Sequence, residues 1–343
     1  MKRWIKISWM LALPSALMLA SCTSTPPAAS NPTPAPALVW PPAPDEPRIA
    51  FTRTLHGPHD IGQTASMFRS FANWMTGDKG ENLNLHKPFA VALDETGNLC
   101  IADTDDKLIC FADFAHKKWR RYEGVDKIKF ASPVAVARRN GIFYVADSQL
   151  AKVFAFNENG HAIFEISAPL KRPVGLALAG DSLYVVDSQA HAVFIFGLDG
   201  TLQASFGQRG TGPGEFNFPT AIAADGRGHI VVSDTMNCRV EVFDERGNFI
   251  SQFGSNGDTS GHFARPKGVA LDSAGHIYVV DAVFDNFQIF DLSGQLLLNV
   301  GESGSGNGQF GLPNGIAIGA DNQIFVADAF NHRVQVFKYL GQP

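Results

Sequence analysis

The chain has 343 residues, 45% of them apolar, and a formal charge of −5; setting aside Lys2, Arg3 and Lys6 with the leader described below leaves 25 basic residues against 33 acidic ones. No continuous basic stripe remains, which argues against the positive field that a nucleic-acid surface needs. The four cysteines show no CxxC, no Cys/His spacing of a zinc site and no CxxCH for attached haem, so the composition implies no cofactor and no metal.

Residues 1–21 read as an export leader. Lys2, Arg3 and Lys6 precede an apolar stretch over residues 9–20 that is too short for a comfortable membrane span. It runs into Leu19-Ala20-Ser21-Cys22, which resembles the lipobox of bacterial lipoproteins; the resemblance implies that the Cys22 thiol is acylated and opens the mature chain. Acyl chains contribute about 0.8 kcal/mol per buried CH₂, so several together anchor the chain effectively for good. The alternative is an ordinary secretory signal with a chance cysteine. Thr23 rather than aspartate follows, which by the same resemblance points to the outer membrane, periplasmic face. Residues 22–47 then read as a tether, with nine prolines between 23 and 47. Extended polyproline geometry gives it a reach of about 80 Å.

A lone strand pattern follows at 48–54, with Ile49 and Phe51 on one face. The connection from His56 to Lys87 holds Met67, Phe68, Phe71, Trp74 and Met75 at helical spacing, which predicts a short amphipathic helix over about 65–76. Such a helix either packs on its own domain or offers Phe71, Trp74 and Met75 as anchors for a partner.

From residue 88 the chain repeats. Pro88, Pro133, Pro173, Pro219, Pro266 and Pro313 follow one another at spacings of 45, 40, 46, 47 and 47. Each copy carries an aspartate at the end of its second apolar run (Asp103, Asp147, Asp187, Asp234, Asp281, Asp328) and a phenylalanine eight or nine residues later. Three residues before each proline stands a large apolar side chain, from Leu85 to Phe310. Copy one looks one residue short in its turn, which puts Lys107 where copy six has Arg333. Within a copy the runs are short, β-branched and aromatic, and separated by Asp, Gly and Asn turns, as four strands would be. Six such units predict an all-β, six-bladed β-propeller of four-stranded blades occupying 48–343. The sixth copy supplies three strands before the chain stops, so the strand at 48–54 is expected to complete the last blade and close the ring.

Pro313-Asn314-Gly315-Ile316-Ala317, Val326-Ala327-Asp328 and residues 331–337, NHRVQVF, resemble the NHL-repeat family. The likeness covers about 88–338. In six-bladed lyases of that kind, the resemblance implies metal-binding histidines immediately after the blade prolines; here those positions are Phe89, Val134, Val174, Thr220, Lys267 and Asn314. The inner strands are small and apolar and offer no acid–base pair. The six aspartates suit turn starts, where the carboxylate binds the backbone two residues on, better than a cation ring. Cys100 and Cys110 fall on consecutive strands, and whether they pair is open.

The expectation is a lipid-anchored, non-catalytic scaffold that binds envelope proteins, on the face bearing the blade-to-blade loops. Two rivals stand beside it: a metal-dependent hydrolase or lyase at the channel mouth, and a small-anion sensor using Lys87, Arg172, Arg265 and Lys267 near the blade prolines.

Overall fold

The computed structural model describes residues 38–63 and 82–341. In it the six copies become six antiparallel sheets around a central channel, each with its proline-led strand innermost. Blade 4 shows the pattern: Ala221–Ala224, His229–Asp234, Arg239–Asp244 and Phe249–Phe253 pair in that order from the channel outward. Middle strands such as Leu99–Asp103 and Asn286–Phe290 are buried at every residue, because neighbouring blades cover both faces of each sheet. They read as continuous apolar runs for that reason.

Each seam between blades has its own apolar cluster. The side chain three before each proline sits in it: Phe216 between blades 3 and 4, Phe263 between 4 and 5, Phe310 between 5 and 6, with Leu85, Phe130 and Leu170 in the other three. Three of these rings, Phe216, Phe263 and Phe310, are locked by a glycine at the end of the preceding outer strand, Gly207, Gly254 and Gly301. Gly254 has φ 86°, and a Cβ there would lie 2.5 Å from the Phe263 ring; Gly301, at φ 93°, stands 2.4 Å from Phe310 by the same measure. Only glycine allows both the left-handed backbone and that approach.

The ring closes as the sequence predicts. Ile49–Leu55 pairs antiparallel with Arg333–Tyr339, the third strand of blade 6, and Thr52 Oγ1 donates to the Val336 carbonyl at 2.8 Å. A register shift between Phe51 and Arg53 matches those between Ala155 and Phe156, Ile195 and Phe196, Val242 and Phe243, and Ile289 and Phe290 in blades 2 to 5. The borrowed strand therefore carries the bulge of a true fourth strand. This bulge turns Leu55 into the seam with blade 1 while Ile49 faces the seam with blade 5.

Two expectations change. The blade begins earlier than residue 48: Val39–Trp40 adds a fifth strand beside Ile49 and Ala50, and Trp40 meets the Phe337 ring edge-on at 5.7 Å. An apolar Leu-Val-Trp run finds a seam to cover, so the tether's last residues belong to the fold. In copy one the turn is not short. Asp103 pairs with Leu108 as Asp328 does with Arg333, so Leu108, not Lys107, takes the arginine's place. Ala112 stands where the other copies have phenylalanine, and Phe111 turns to the seam with blade 2. Cys100 and Cys110 are free and lie on opposite faces of their sheet, in different seams, which excludes a bond between them. The basic outer strand of blade 1, Lys118–Tyr122, is partly neutralised, since Arg120 and Arg121 contact Glu158 and Asp106 at 3.3 and 3.0 Å. Cys22, the helix expected over 65–76 and the anchors Phe71, Trp74 and Met75 lie outside the described residues.

Candidate functional site

One end of the propeller carries the turns between second and third strands and the connections from blade to blade, and the six aspartates build it. Asp103, Asp147, Asp187 and Asp281 each accept two backbone N–H groups just ahead of their blade's proline and two more in their own turn. Asp234 and Asp328 instead take one such N–H (Asn217, Gly311), an asparagine amide and an arginine Nε, from Arg239 at 3.0 Å and Arg333 at 2.7 Å. Burial pushes the Asp234 carboxyl above its ordinary range, although the Asn217 N–H, Asn237 and Arg239 oppose it. The residue before each third strand (Lys107, Ala151, His191, Cys238, Asp285, His332) is left-handed, with φ between 51 and 57°. Each loop on this end is thus fixed by a buried carboxylate.

Two positions per blade project from that framework: the residue before the proline and the second residue after the aspartate. In blades 1 to 3 they are Lys87, Asp105, Ser132, Gln149, Arg172 and Gln189. In blades 4 to 6 they are Phe218, Met236, Arg265, Val283, Leu312 and Phe330, and the five apolar ones are exposed by 44 to 70%. The face is therefore polar over one half and apolar over the other. Leu312 is held out with φ 51°, its N–H donating to Asp285 at 2.8 Å, and Phe218 with φ 50°, its ring 4.6 Å from that of His191. A left-handed bulky residue costs roughly 1–3 kcal/mol, and such strain collects where ligands are gripped.

At the centre of this end is the channel mouth, a hollow of about 70 Å³ whose lining includes Phe89, Val134, Val174, Thr220 and Asn314, each directly after a blade proline. The sixth position of that ring is Lys267, half-buried and the sole charge among the six. Burial, then Arg265 and Arg172, press its ammonium below the ordinary lysine range. Among the described residues no carboxylate pairs with the side chain of Lys267, Arg172 or Arg265. Lys87, the fourth cation of the expected set, is on blade 1 and has Asp105 at 3.9 Å. Reading only the residue after each proline finds Lys267 but leaves the apolar arc unseen; the residue before it carries the signal.

The opposite mouth differs from the expectation of a purely apolar channel. Asp94, Glu95, Arg138 and Arg139 line a cavity of about 360 Å³ there. Arg138 is buried, paired to Asp94 and Glu158, and lies over the Phe111 ring at 4.4 Å. Its charge is consumed by that framework.

Blade 4 holds one further anomaly. Glu241 is fully buried and accepts the Gly214 N–H at 3.0 Å, where blades 5 and 6 use Gln288 and Gln335 for the Gly261 and Gly308 N–H groups. Its other oxygen is 2.5 Å from Arg239 Nη2 without hydrogen-bond geometry. Burial outweighs Arg239 and drives the carboxyl up to about 7.

Residues 310–337 match the NHL repeat, and residues 167–229 and 223–296 match a family described as a 6-bladed beta-propeller. No curated protein matches the sequence. Among solved structures the chain is similar to a streptogramin B lyase, at 13% identity and a TM-score of 0.56, covering 74% of this chain and 94% of that one. A catalytically inactive virginiamycin B lyase from Staphylococcus aureus with quinupristin gives 12% identity and 0.55, over 74% and 95%. A protein of unknown function from Bacteroides thetaiotaomicron gives 18% and 0.56, over 75% and 70%. Likeness at these identities is likeness of fold, and function has to be argued from the site. The class is thereby defined: an all-β, six-bladed propeller. More particularly, its sixth copy matches an NHL repeat, and the ring is closed by a strand from its own N-terminal side.

Proposed function

We propose that this chain is a binding scaffold of the cell envelope, anchored by lipid at Cys22, whose partner docks on the aspartate-turn face over blades 4 to 6. The observation that carries the reading is the exposed arc of Phe218, Met236, Val283, Leu312 and Phe330. Contiguous apolar side chains on a rigid framework are what partner surfaces offer, and aromatic anchors dominate their energetics. A photo-crosslinking phenylalanine analogue placed at 283 or 330 in cells is expected to trap a discrete protein product. The same analogue at Leu202 or Ile250, exposed on outer strands to about the extent of Val283, is expected to trap none. Equal yields from the two sets, or none from the arc, would defeat the reading.

The anchor has its own test. Cys22→Ser is expected to abolish incorporation of radiolabelled palmitate and to move the protein from the membrane to the soluble periplasmic fraction. Undiminished labelling of the variant would remove Cys22 from the scheme. The tether between Cys22 and the first described residue, Leu38, then supplies the distance from membrane to propeller.

A further inference from the structure

We infer that the channel mouth at the centre of this face seats an acidic side chain of the partner, with its carboxylate against Lys267 between Arg265 and Arg172, while flanking apolar residues of the same partner segment lie on Phe218, Val283, Leu312 and Phe330. This rests on the partner-binding reading above and adds the chemistry of what docks.

Three features of the mouth carry it. First, the charge is uncompensated: the chain has 33 acidic residues against 28 basic ones, yet none of the described carboxylates pairs with these three side chains. A half-buried ammonium in the repulsive field of Arg265 and Arg172 is unfavourable alone and is relieved by an anion. Second, the hollow is small, about 70 Å³, and is lined by Phe89, Val134, Val174, Thr220 and Asn314, with Gly268 of blade 5 in its wall and Lys267 next to it in the chain. That is room for a carboxylate and its methylene stem, with apolar walls that strengthen the charge contact. Third, Lys267 and Arg265 belong to the blades that carry the apolar arc, and Arg172 stands on the polar blade next to it. Arg265 occupies, in blade 5, the position that Phe218 and Leu312 occupy in blades 4 and 6. A free anion would gain nothing from that arc; a peptide carrying the anion gains area from the arc and register from the charge.

The test uses the intact exported protein, immobilised, and two pools of N-acetylated, C-amidated dodecapeptides rich in Leu and Phe. Peptides of one pool hold a single Asp or Glu, and those of the other hold Asn or Gln in its place. Wild type is expected to retain the acidic pool about tenfold better at low salt, and the preference is expected to fade as salt is raised. Lys267→Met should erase the preference, as should the surface variant Arg172→Gln/Arg265→Gln, which guards against a fold defect at Lys267. Phe330→Ser should lower retention of both pools alike. Equal retention of the pools by wild type, retention of neither, or a preference that survives both cation variants overturns the inference. So does binding of phosphatidylglycerol vesicles in place of the acidic peptides. Equal retention that still falls in Phe330→Ser leaves the docking face standing and removes only the carboxylate; a silent arc in the crosslinking experiment removes the docking face itself.

Discussion

A chain starting at residue 56 is expected to be insoluble or to unfold far below the full protein, and Ile49→Asp is expected to destabilise the propeller by on the order of 5 kcal/mol. Ile49 is fully buried in the seam between blades 5 and 6, packed with Phe287, Phe310, Ile324 and Phe337. An aspartate there loses the apolar contacts and strands a carboxylate without a partner. The whole strand matters more than any one residue. Without Ile49–Leu55, the strand Arg333–Tyr339 becomes an edge that shows Val334, Val336 and Phe337, all fully buried in the closed ring, and such an edge pairs with other chains. A synthetic peptide of residues 38–55 added during refolding of the 56–343 fragment is expected to restore solubility, since strand addition supplies the same ladder. Thermal melts of the three preparations decide it. A fragment that melts like the full chain would show that closure by this strand is not what holds blade 6.

Glu241→Gln is expected to stabilise the protein above neutral pH and to leave it unchanged near pH 5. The carboxyl is raised from its ordinary 4.5 to about 7 by burial. A raised carboxyl means that the folded chain binds more protons than the unfolded one between those two values, so the stability it contributes is complete below about 4.5 and is lost as pH climbs through about 7. At roughly 1.4 kcal/mol per pH unit, that loss is on the order of 3 kcal/mol. A glutamine has nothing to deprotonate. It would also copy blade 6, where Gln335 accepts the Gly308 N–H at 2.8 Å and donates to the Gln309 carbonyl at 2.6 Å beside an Arg333–Asp328 pair like that of Arg239 and Asp234. Melting temperatures of wild type and variant are expected to differ by roughly 5 °C at pH 8 and to converge at pH 5. A constant gap across that range, or a less stable variant at pH 8, would mean that the Arg239 contact holds Glu241 ionised at little cost.

Both results turn on features of unequal legibility in the chain. The prolines, the turn aspartates and the seam residues from Leu85 to Phe310 recur at nearly fixed spacing, so the number of blades and even the borrowed strand could be read directly. Local chemistry sets these: an aspartate at a turn, a large ring where two sheets meet. The bulge at Phe51 and Arg53 could not be read, because it arises from pairing with a strand more than 280 residues away, and it alone decides that Leu55 faces blade 1. Copy one misled for a related reason. Phe111 keeps the right composition near the right spacing, yet cross-strand register, not spacing, sends it to the other face.

The candidate site divides in the same way. Lys267, Arg172 and Arg265 stand out as cations beside the prolines, but only the ring brings blades 3 and 5 to one mouth, and among the described residues Lys87 alone of the four has a carboxylate partner, Asp105. The apolar residues of blades 4 to 6 are unremarkable singly, and become a surface when closure lays their loops side by side. The sequence by itself therefore determined a closed six-unit ring, since a periodic pattern of turns and apolar runs dictates local strands and how many there are. Which side chains share a face was decided by tertiary structure alone, because facing depends on register and on neighbours that only ring closure brings together.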